Sequence, residues 1–280
     1  MKRKIDPNKP KIKIPFGKQY IRTKEIVKEN NLHTICESGN CPNLAECWSL
    51  GTSTFMILGD ICTRSCKFCS VKTGKPLIPD PDEPLRIAKS VKLMNLKHCV
   101  LTSVDRDDLD DKGAGFWAEV VNKVRELNPK VTMETLIPDF DGQTKLLDKI
   151  IEVKPEVVSH NLETVARLSD QIRSRAKYNR SLEVLNYLQK KGITTKSGIM
   201  LGLGEDTEEV LQLMDDLLEV NCKIITIGQY LQPTNNHISV QRFVPEEEFL
   251  DLKRIAFDKG FSMVESGALI RSSYHAEKHV

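Results

Sequence analysis

The chain is 280 residues long, carries 41 Lys and Arg against 39 Asp and Glu, and contains eight cysteines. A length of this order folds around one large α/β core or two small ones without disulfide staples, and a near-neutral charge gives no argument for nucleic acid or an anionic membrane as partner. The first 20 residues lack an apolar leader core and no run of about 18 apolar residues offers a membrane span. The expectation is therefore a cytoplasmic chain whose clustered cysteines bind metal or do redox chemistry rather than pair.

The stretch Met1 to Lys18 carries Lys2, Arg3, Lys4, Lys9, Lys11, Lys13 and Lys18 against Asp6. It reads as a solvated arm, with partner docking as the second reading. From Glu25 to Leu50 the pattern is helical in pieces: Asn43 is placed to cap a short run through Glu46, and Gly51 to end it. From Thr52 onward apolar, β-rich stretches recur at Thr54 to Leu58, His98 to Ser103, Val131 to Ile137, Glu156 to His160, Thr194 to Leu201 and Lys223 to Gly228. Helix-patterned segments separate them at Pro84 to Asn95, Gly115 to Leu127, Gln143 to Val153, Ser181 to Lys191 and Thr207 to Asn221, with another at Pro245 to Lys259. Parallel strands need crossover helices, so this alternation predicts an α/β fold with a parallel sheet covered on both faces, either curled or open and doubly wound. In either form chemistry belongs at the carboxyl ends of the strands.

Six cysteines form two triplets, Cys36-x4-Cys41-x5-Cys47 and Cys62-x3-Cys66-x2-Cys69. Three thiolates are one short of a closed four-ligand site, so each group borrows a fourth ligand or leaves a metal corner open for a small molecule. Zinc is the competing reading, since thiolates two residues apart also build zinc ribbons; no matching Cys or His follows nearby.

The downstream triplet, with Phe68 before its last cysteine, resembles the signature of the radical S-adenosylmethionine (SAM) superfamily. The upstream triplet resembles the auxiliary-cluster motif of the lipoyl synthase family. That likeness extends through Thr54 to Gly59, Val71-Lys72-Thr73-Gly74, Arg106-Asp107-Asp108, His160-Asn161-Leu162-Glu163-Thr164, Gly202-Leu203-Gly204-Glu205, Ile227 to Thr234 and Arg271-Ser272-Ser273-Tyr274-His275-Ala276.

The resemblance implies a partial (β/α)6 TIM-like barrel over residues 52–265, an N-terminal cluster-binding extension over 1–51, and a C-terminal segment, 266–280, that supplies a ligand. It implies two 4Fe-4S clusters. Cys62, Cys66 and Cys69 hold the catalytic one, which reduces SAM to methionine and a 5′-deoxyadenosyl radical. Cys36, Cys41, Cys47 and Ser273, with Ser272 as the alternative serine, hold the other, which gives up sulfur. Two SAM molecules per product serve insertion at C6 and C8 of an octanoyl chain on a protein lysine. The implied partners are octanoylated carrier domains of 2-oxoacid dehydrogenase E2 subunits or the glycine-cleavage H protein, an electron donor such as ferredoxin or flavodoxin, and an iron–sulfur carrier for repair. The rivals are another sulfur-inserting radical enzyme with an auxiliary cluster, and a zinc-stabilised binding module.

SAM contacts are carried to Asn161 and Glu163 at one strand end, and to Gly202, Gly204 and Glu205 at another, where a plain strand-to-helix turn is the alternative. Arg173, Arg175, Lys177 and Arg180 form a basic cluster that reads as a solvated helix face or, second, as a seat for an acidic carrier. Cys99 and Cys222 read as small core residues. His160 and His275 receive no role. Lys112 stands where many relatives carry glycine, which puts the backbone shape of that loop in question.

Overall fold

The computed structural model describes residues 6–12 and 17–279, the side chain of residue 279 excepted. Lys2, Arg3, Lys4 and Lys13 of the basic arm thus lie outside the described residues. The chain enters through three helices, α1 (Lys18–Glu29), α2 (Ile35–Ser38) and α3 (Leu44–Ser49), and then alternates strand and helix. The strands are β1 (Thr54–Ile57), the short pair β2 (Ile61–Cys62) and β3 (Lys72–Thr73), β4 (His98–Ser103), β5 (Thr132–Leu136), β6 (Val157–Ser159), β7 (Thr195–Leu201), β8 (Ile224–Gln229) and β9 (Met263–Gly267). Between them run α4 (Glu83–Leu93), α5 (Ala114–Leu127), α6 (Thr144–Glu152), α7 (Ala166–Ile172), α8 (Tyr178–Lys190), α9 (Thr207–Glu219) and α10 (Glu246–Lys259).

Seven strands form one all-parallel sheet in the order β1-β4-β5-β6-β7-β8-β9. Among the described residues no ladder joins β1 to β9, so the sheet curls as a partial barrel with one open side. All six expected strands are present, and the α/β architecture follows. The seventh, β9, escapes the apolar pattern because Val264 alone of its five residues is buried. Its place is set by pairing with β8 from Ile224↔Met263 to Gly228↔Gly267.

Local chemistry explains the helix limits. Asp206 and Glu209 cap α9 reciprocally. Three glutamates open α10 against the positive end of its dipole, and Gly260, at φ +115°, closes it. Asn43 precedes α3 as expected but makes no side-chain cap; its amide donates instead to the Leu269 carbonyl at 2.6 Å. Tyr274 likewise donates its hydroxyl to Glu46 at 2.8 Å. These two contacts fasten the C-terminal segment to the cysteine-bearing extension, across more than two hundred residues of sequence.

Cys99 and Cys222 are buried as core residues, and no described helix is long and apolar enough to cross a membrane. The chain turns from β1 into the downstream cysteine loop at Leu58, which adopts φ +69°. Its N–H donates to the buried Glu83 carboxylate at 2.9 Å. Burial pushes that carboxyl up from 4.5 to about 7, against the pull of the Leu58 N–H. The folded chain therefore holds this proton more tightly than the unfolded one, and the group's contribution to stability is lost as pH rises toward neutrality. Glu83→Ala should cost about 1–3 kcal/mol by leaving the N–H unpaired, read from urea unfolding. It should also flatten the fall in stability between the ordinary carboxylate range and pH of about 7.

Candidate active site

The two small strands β2 and β3 pinch the ends of the downstream cysteine loop, and the Gly74 N–H donates to the Cys62 carbonyl at 3.0 Å. The loop is then clamped from three directions. On one side Thr63 donates its hydroxyl to the Asp105 carbonyl at 2.9 Å. On a second, the Ser65 N–H donates to Ser174 Oγ at 3.2 Å and the Lys67 N–H to the Ile172 carbonyl at 2.9 Å. On the third, His237 Nε2 lies 2.9 Å from the Cys69 carbonyl.

Arg64, between Cys62 and Cys66, is buried among carboxylates from two other strand ends. It donates to Asp107 at 2.7 and 2.9 Å and to Asp139 at 2.8 Å, and approaches Asp105 at 3.3 Å. The Asp107 of the Arg-Asp-Asp motif thus serves the cysteine loop, while Arg106 turns away to Asp108 and the carbonyls of Leu58 and Leu77. Lys112 takes φ +52°, the left-handed conformation a glycine adopts without strain, and its ammonium sits 2.9 Å from Asp141. The loop therefore keeps a glycine-compatible backbone shape, held by an ion pair.

The basic cluster is already partnered. Arg175 and Arg180 pair with Asp141, Arg180 also with Asp139, and Lys177 with Asp170. Arg173 is buried and donates to Ser181 at 2.9 Å. Arg175 and Lys177 nevertheless stay about half exposed, on a solvated face. His160 is structural too: its ring bridges the Ile137 carbonyl and Ser181 at 2.9 Å each, and burial pushes it down to about 4.

Two cavities adjoin. The first, about 350 Å³, opens at the carboxyl ends of the strands and is bordered by Cys62, Cys66 and Cys69 together with Asn161, Glu163, Arg173, Gly198 and Met200. The second, about 370 Å³, is bordered by Cys36, Cys41, Cys47, Ser273, Tyr274 and His275. Cys36, Cys41, Arg271 and Ser273 belong to both linings, so one wall separates the two sites. All six thiols are free. Burial pushes Cys36 and Cys69 up to about 11 and Cys47 and Cys62 up to about 12. Cys41 is raised by the same cause. Among the described residues no three His, Cys, Asp or Glu side chains converge closely enough to hold a single metal ion.

The first cavity has polar features that a bound amine or hydroxyl would complete. Asn161 Nδ2 donates to Glu163 at 3.0 Å and to Ser272 Oγ at 2.7 Å, while its Oδ1 is buried without a partner. Glu163 is held at φ +67° by backbone bonds to Gly198 and Met200, and burial pushes its carboxyl up against Arg173, Asn161 and Arg271. Gly198 keeps this corner clear: a Cβ there would lie 2.6 Å from Thr226 Oγ1 and 3.0 Å from Asn161 Oδ1.

Gly202, Gly204 and Glu205 do not border the cavity. The Glu205 carboxylate accepts the N–H groups of Gly202 and Leu203 at 2.7 and 2.9 Å. A Cβ on Gly202 would meet the Arg242 carbonyl at 2.5 Å. This is a strand-to-helix turn closed on itself. Sequence reasoning passed over Arg64, Asp105, Gly198 and the interior pair Glu134 and Lys196. The last two had left a signal, each being a charge inside an apolar strand.

The radical SAM superfamily matches this chain over residues 56–217. The lipoyl synthase of Bacteroides fragilis (strain YCH46) is 56% identical over 279 residues, covering 100% of this chain and 97% of its own length. The mitochondrial lipoyl synthase of Nematostella vectensis is 58% identical, covering 98% and 96%. Among solved structures, the FeFe-hydrogenase maturase HydG from Carboxydothermus hydrogenoformans superposes with a TM-score of 0.61 at 14% identity, covering 91% of this chain and 66% of that one. SuiB of Streptococcus suis bound to S-adenosylmethionine gives 0.59 at 13%, and there the match covers 76% of this chain and spans half of the longer one. At such identities the structural likeness speaks for the barrel alone, whereas the sequence likeness is close and end to end. A parallel half-open barrel, a clamped three-cysteine loop at its carboxyl rim and this extended identity lead to one assignment: the chain belongs to the lipoyl synthase family of radical SAM sulfurtransferases.

Proposed function

We propose that the chain completes a lipoyl group by holding two 4Fe-4S clusters, one at each cysteine triplet, and directing two sulfur atoms to C6 and C8 of an octanoyl chain on a partner's lysine. The observation that carries this reading is the shared wall: the upstream thiols Cys36 and Cys41 border the same cavity as the downstream triplet. A carbon activated at one site thus lies one wall away from sulfur held at the other.

The residues fit these groups. Each triplet offers three free thiols, and the first cavity offers the unpartnered Asn161 Oδ1 beside the Glu163 carboxyl. With Cys62, Cys66 and Cys69 as ligands, the downstream cluster and SAM supply a radical able to take hydrogen from an unactivated C–H bond, which no side-chain base can do. Asn161 and Glu163 bind and orient the amine or ribose of SAM. Ile35, Phe68, Ile137, Met200 and Tyr230 give the first cavity an apolar lining that accepts the octanoyl chain and excludes water. Because burial keeps Cys36, Cys47, Cys62 and Cys69 protonated, loading iron must expel their protons, so assembly should slow as pH falls.

Ser273 is the better fourth ligand of the upstream triplet. It borders the second cavity with Cys36, Cys41 and Cys47, whereas the Ser272 hydroxyl is held by Asn161. A serine oxygen is a hard ligand beside three soft thiolates, so its corner is the one that releases most readily. The extension, residues 1–51, and the C-terminal segment, 266–280, supply the ligands of the upstream cluster, and residues 52–265 form the barrel. The partners are those the family likeness implies. They are an octanoylated carrier domain of a 2-oxoacid dehydrogenase or the glycine-cleavage H protein, a low-potential electron donor such as ferredoxin or flavodoxin, and an iron–sulfur carrier that restores the spent cluster, all in the cytoplasm.

Anaerobic purification should yield brown protein with about eight irons per chain, one cube per triplet; colourless protein with one or two zinc atoms would support a binding module instead. Cys66→Ala should abolish SAM cleavage while the upstream cluster survives in the Mössbauer spectrum. Cys41→Ala should leave SAM cleavage intact but stop lipoyl formation, assayed with an octanoyl-lysine peptide, dithionite and SAM under argon. Ser273→Ala should give an unstable upstream cluster and little product; undiminished turnover would move the ligand to Ser272.

A further inference from the structure

Lys196 and Glu134 face each other across the barrel interior from β7 and β5, both side chains fully buried, with Nζ 2.9 and 3.0 Å from the two carboxylate oxygens. Ser159 adds its hydroxyl to the same carboxylate at 2.7 Å. The Lys196 ammonium also donates to the main-chain carbonyl of Ser272. Ser272 is therefore fixed at two points, its carbonyl by Lys196 and its hydroxyl by Asn161. The residue that follows is Ser273, which borders the cavity of the upstream triplet.

A buried ion pair of this kind adds little net stability, because the cost of stripping water from both charges offsets their attraction; apolar residues of similar volume do as well or better. What the pair does supply is direction. Glu134 anchors the ammonium, and the anchored ammonium offers a donor at one fixed point above the barrel floor. Metal ligands held by such outer contacts lose affinity when the contact is removed, although the contact itself never touches metal. The neighbouring strand is shaped to the same end, since a Cβ on Gly228 would collide with the Ile270 carbonyl at 2.2 Å. The C-terminal segment thus lies pressed against β8 while its Ser272 is gripped from β7.

We infer that Lys196, seated by Glu134, is a positioning residue that grips the Ser272 carbonyl and so presents Ser273 to the upstream cysteine triplet. The inference rests on the two-cluster reading above. It assigns a task to two buried charges that neither SAM binding nor radical formation employs.

The test uses the full chain carrying Glu134→Leu together with Lys196→Met, which removes both charges at once and leaves neither unpaired. Three quantities are read: hydrogen exchange of the amides of residues 268–276 before loading, the Mössbauer spectrum after anaerobic loading with iron and sulfide, and the ratio of lipoyl product to SAM cleaved. The expected result is faster exchange in that segment, loss of the distinct iron environment that Ser273→Ala also removes, and a product-to-cleavage ratio lowered about tenfold, with SAM cleavage itself retained. Unchanged exchange, spectrum and ratio overturn the inference. If the apolar pair does not fold, Glu134→Gln with Lys196→Gln, whose shorter amide stops short of Ser272, is read by the same criteria. A parent protein that shows a single cluster fails the two-cluster reading itself, an outcome distinct from an unchanged variant of a two-cluster parent.

Discussion

One buried guanidinium organises the active face. Arg64 sits inside the cysteine loop, yet its partners Asp105 and Asp107 follow β4 and Asp139 follows β5. Three segments that are remote in sequence are thereby drawn to a single cation. Removing it would leave at least three carboxylates crowded in a low-dielectric pocket, a penalty on the order of 3–5 kcal/mol by analogy with broken buried pairs. Lys112, Arg175 and Arg180 close the same network from outside by neutralising Asp139 and Asp141. A three-cysteine loop has little regular structure of its own, so its shape depends on what holds it. Here fixed charges hold it, and they hold it at the carboxyl rim where a curled parallel sheet gathers its chemistry.

A second constraint acts from the opposite end of the chain. Among the described residues no ladder joins β1 to β9, and the terminal segment is fastened by Asn43, Glu46, Asn161 and Lys196. The first and last parts of the sequence thus become walls of a single cavity. Ser273, more than two hundred residues away in sequence, thereby borders the same cavity as the three upstream thiols. Asn161 stands at the junction, one amide hydrogen on Glu163 of the first cavity and the other on Ser272 of the terminal segment.

Several residues show why a motif alone does not reveal a role. Glycines at 202 and 204 adopt positive φ, as expected of a turn made for close approach. What approaches is the chain itself, since Glu205 caps the turn and Arg242 packs on it. Arg173 to Arg180 carry the charge of a docking patch, but tertiary neighbours supply the counter-charges. Gly198, which no motif singles out, leaves the room that the cavity needs.

The strand-and-helix alternation was legible in the chain because covered parallel strands are continuous apolar runs and their crossovers carry helical periodicity. The two thiol triplets were legible because metal-ligand spacing is local, and so was the family. β9 was not legible, for only Met263 and Val264 of its five residues are apolar and its place comes from the edge of β8. Nor could spacing say that the triplets share a wall, that Ser273 borders the upstream cavity while the Ser272 hydroxyl meets Asn161, or that Glu134 and Lys196 meet. Those facts depend on how the barrel closes and where its termini dock. Contacts between residues far apart in sequence are selected by packing and by the cost of burying unpaired charge, and neither is written in any local pattern.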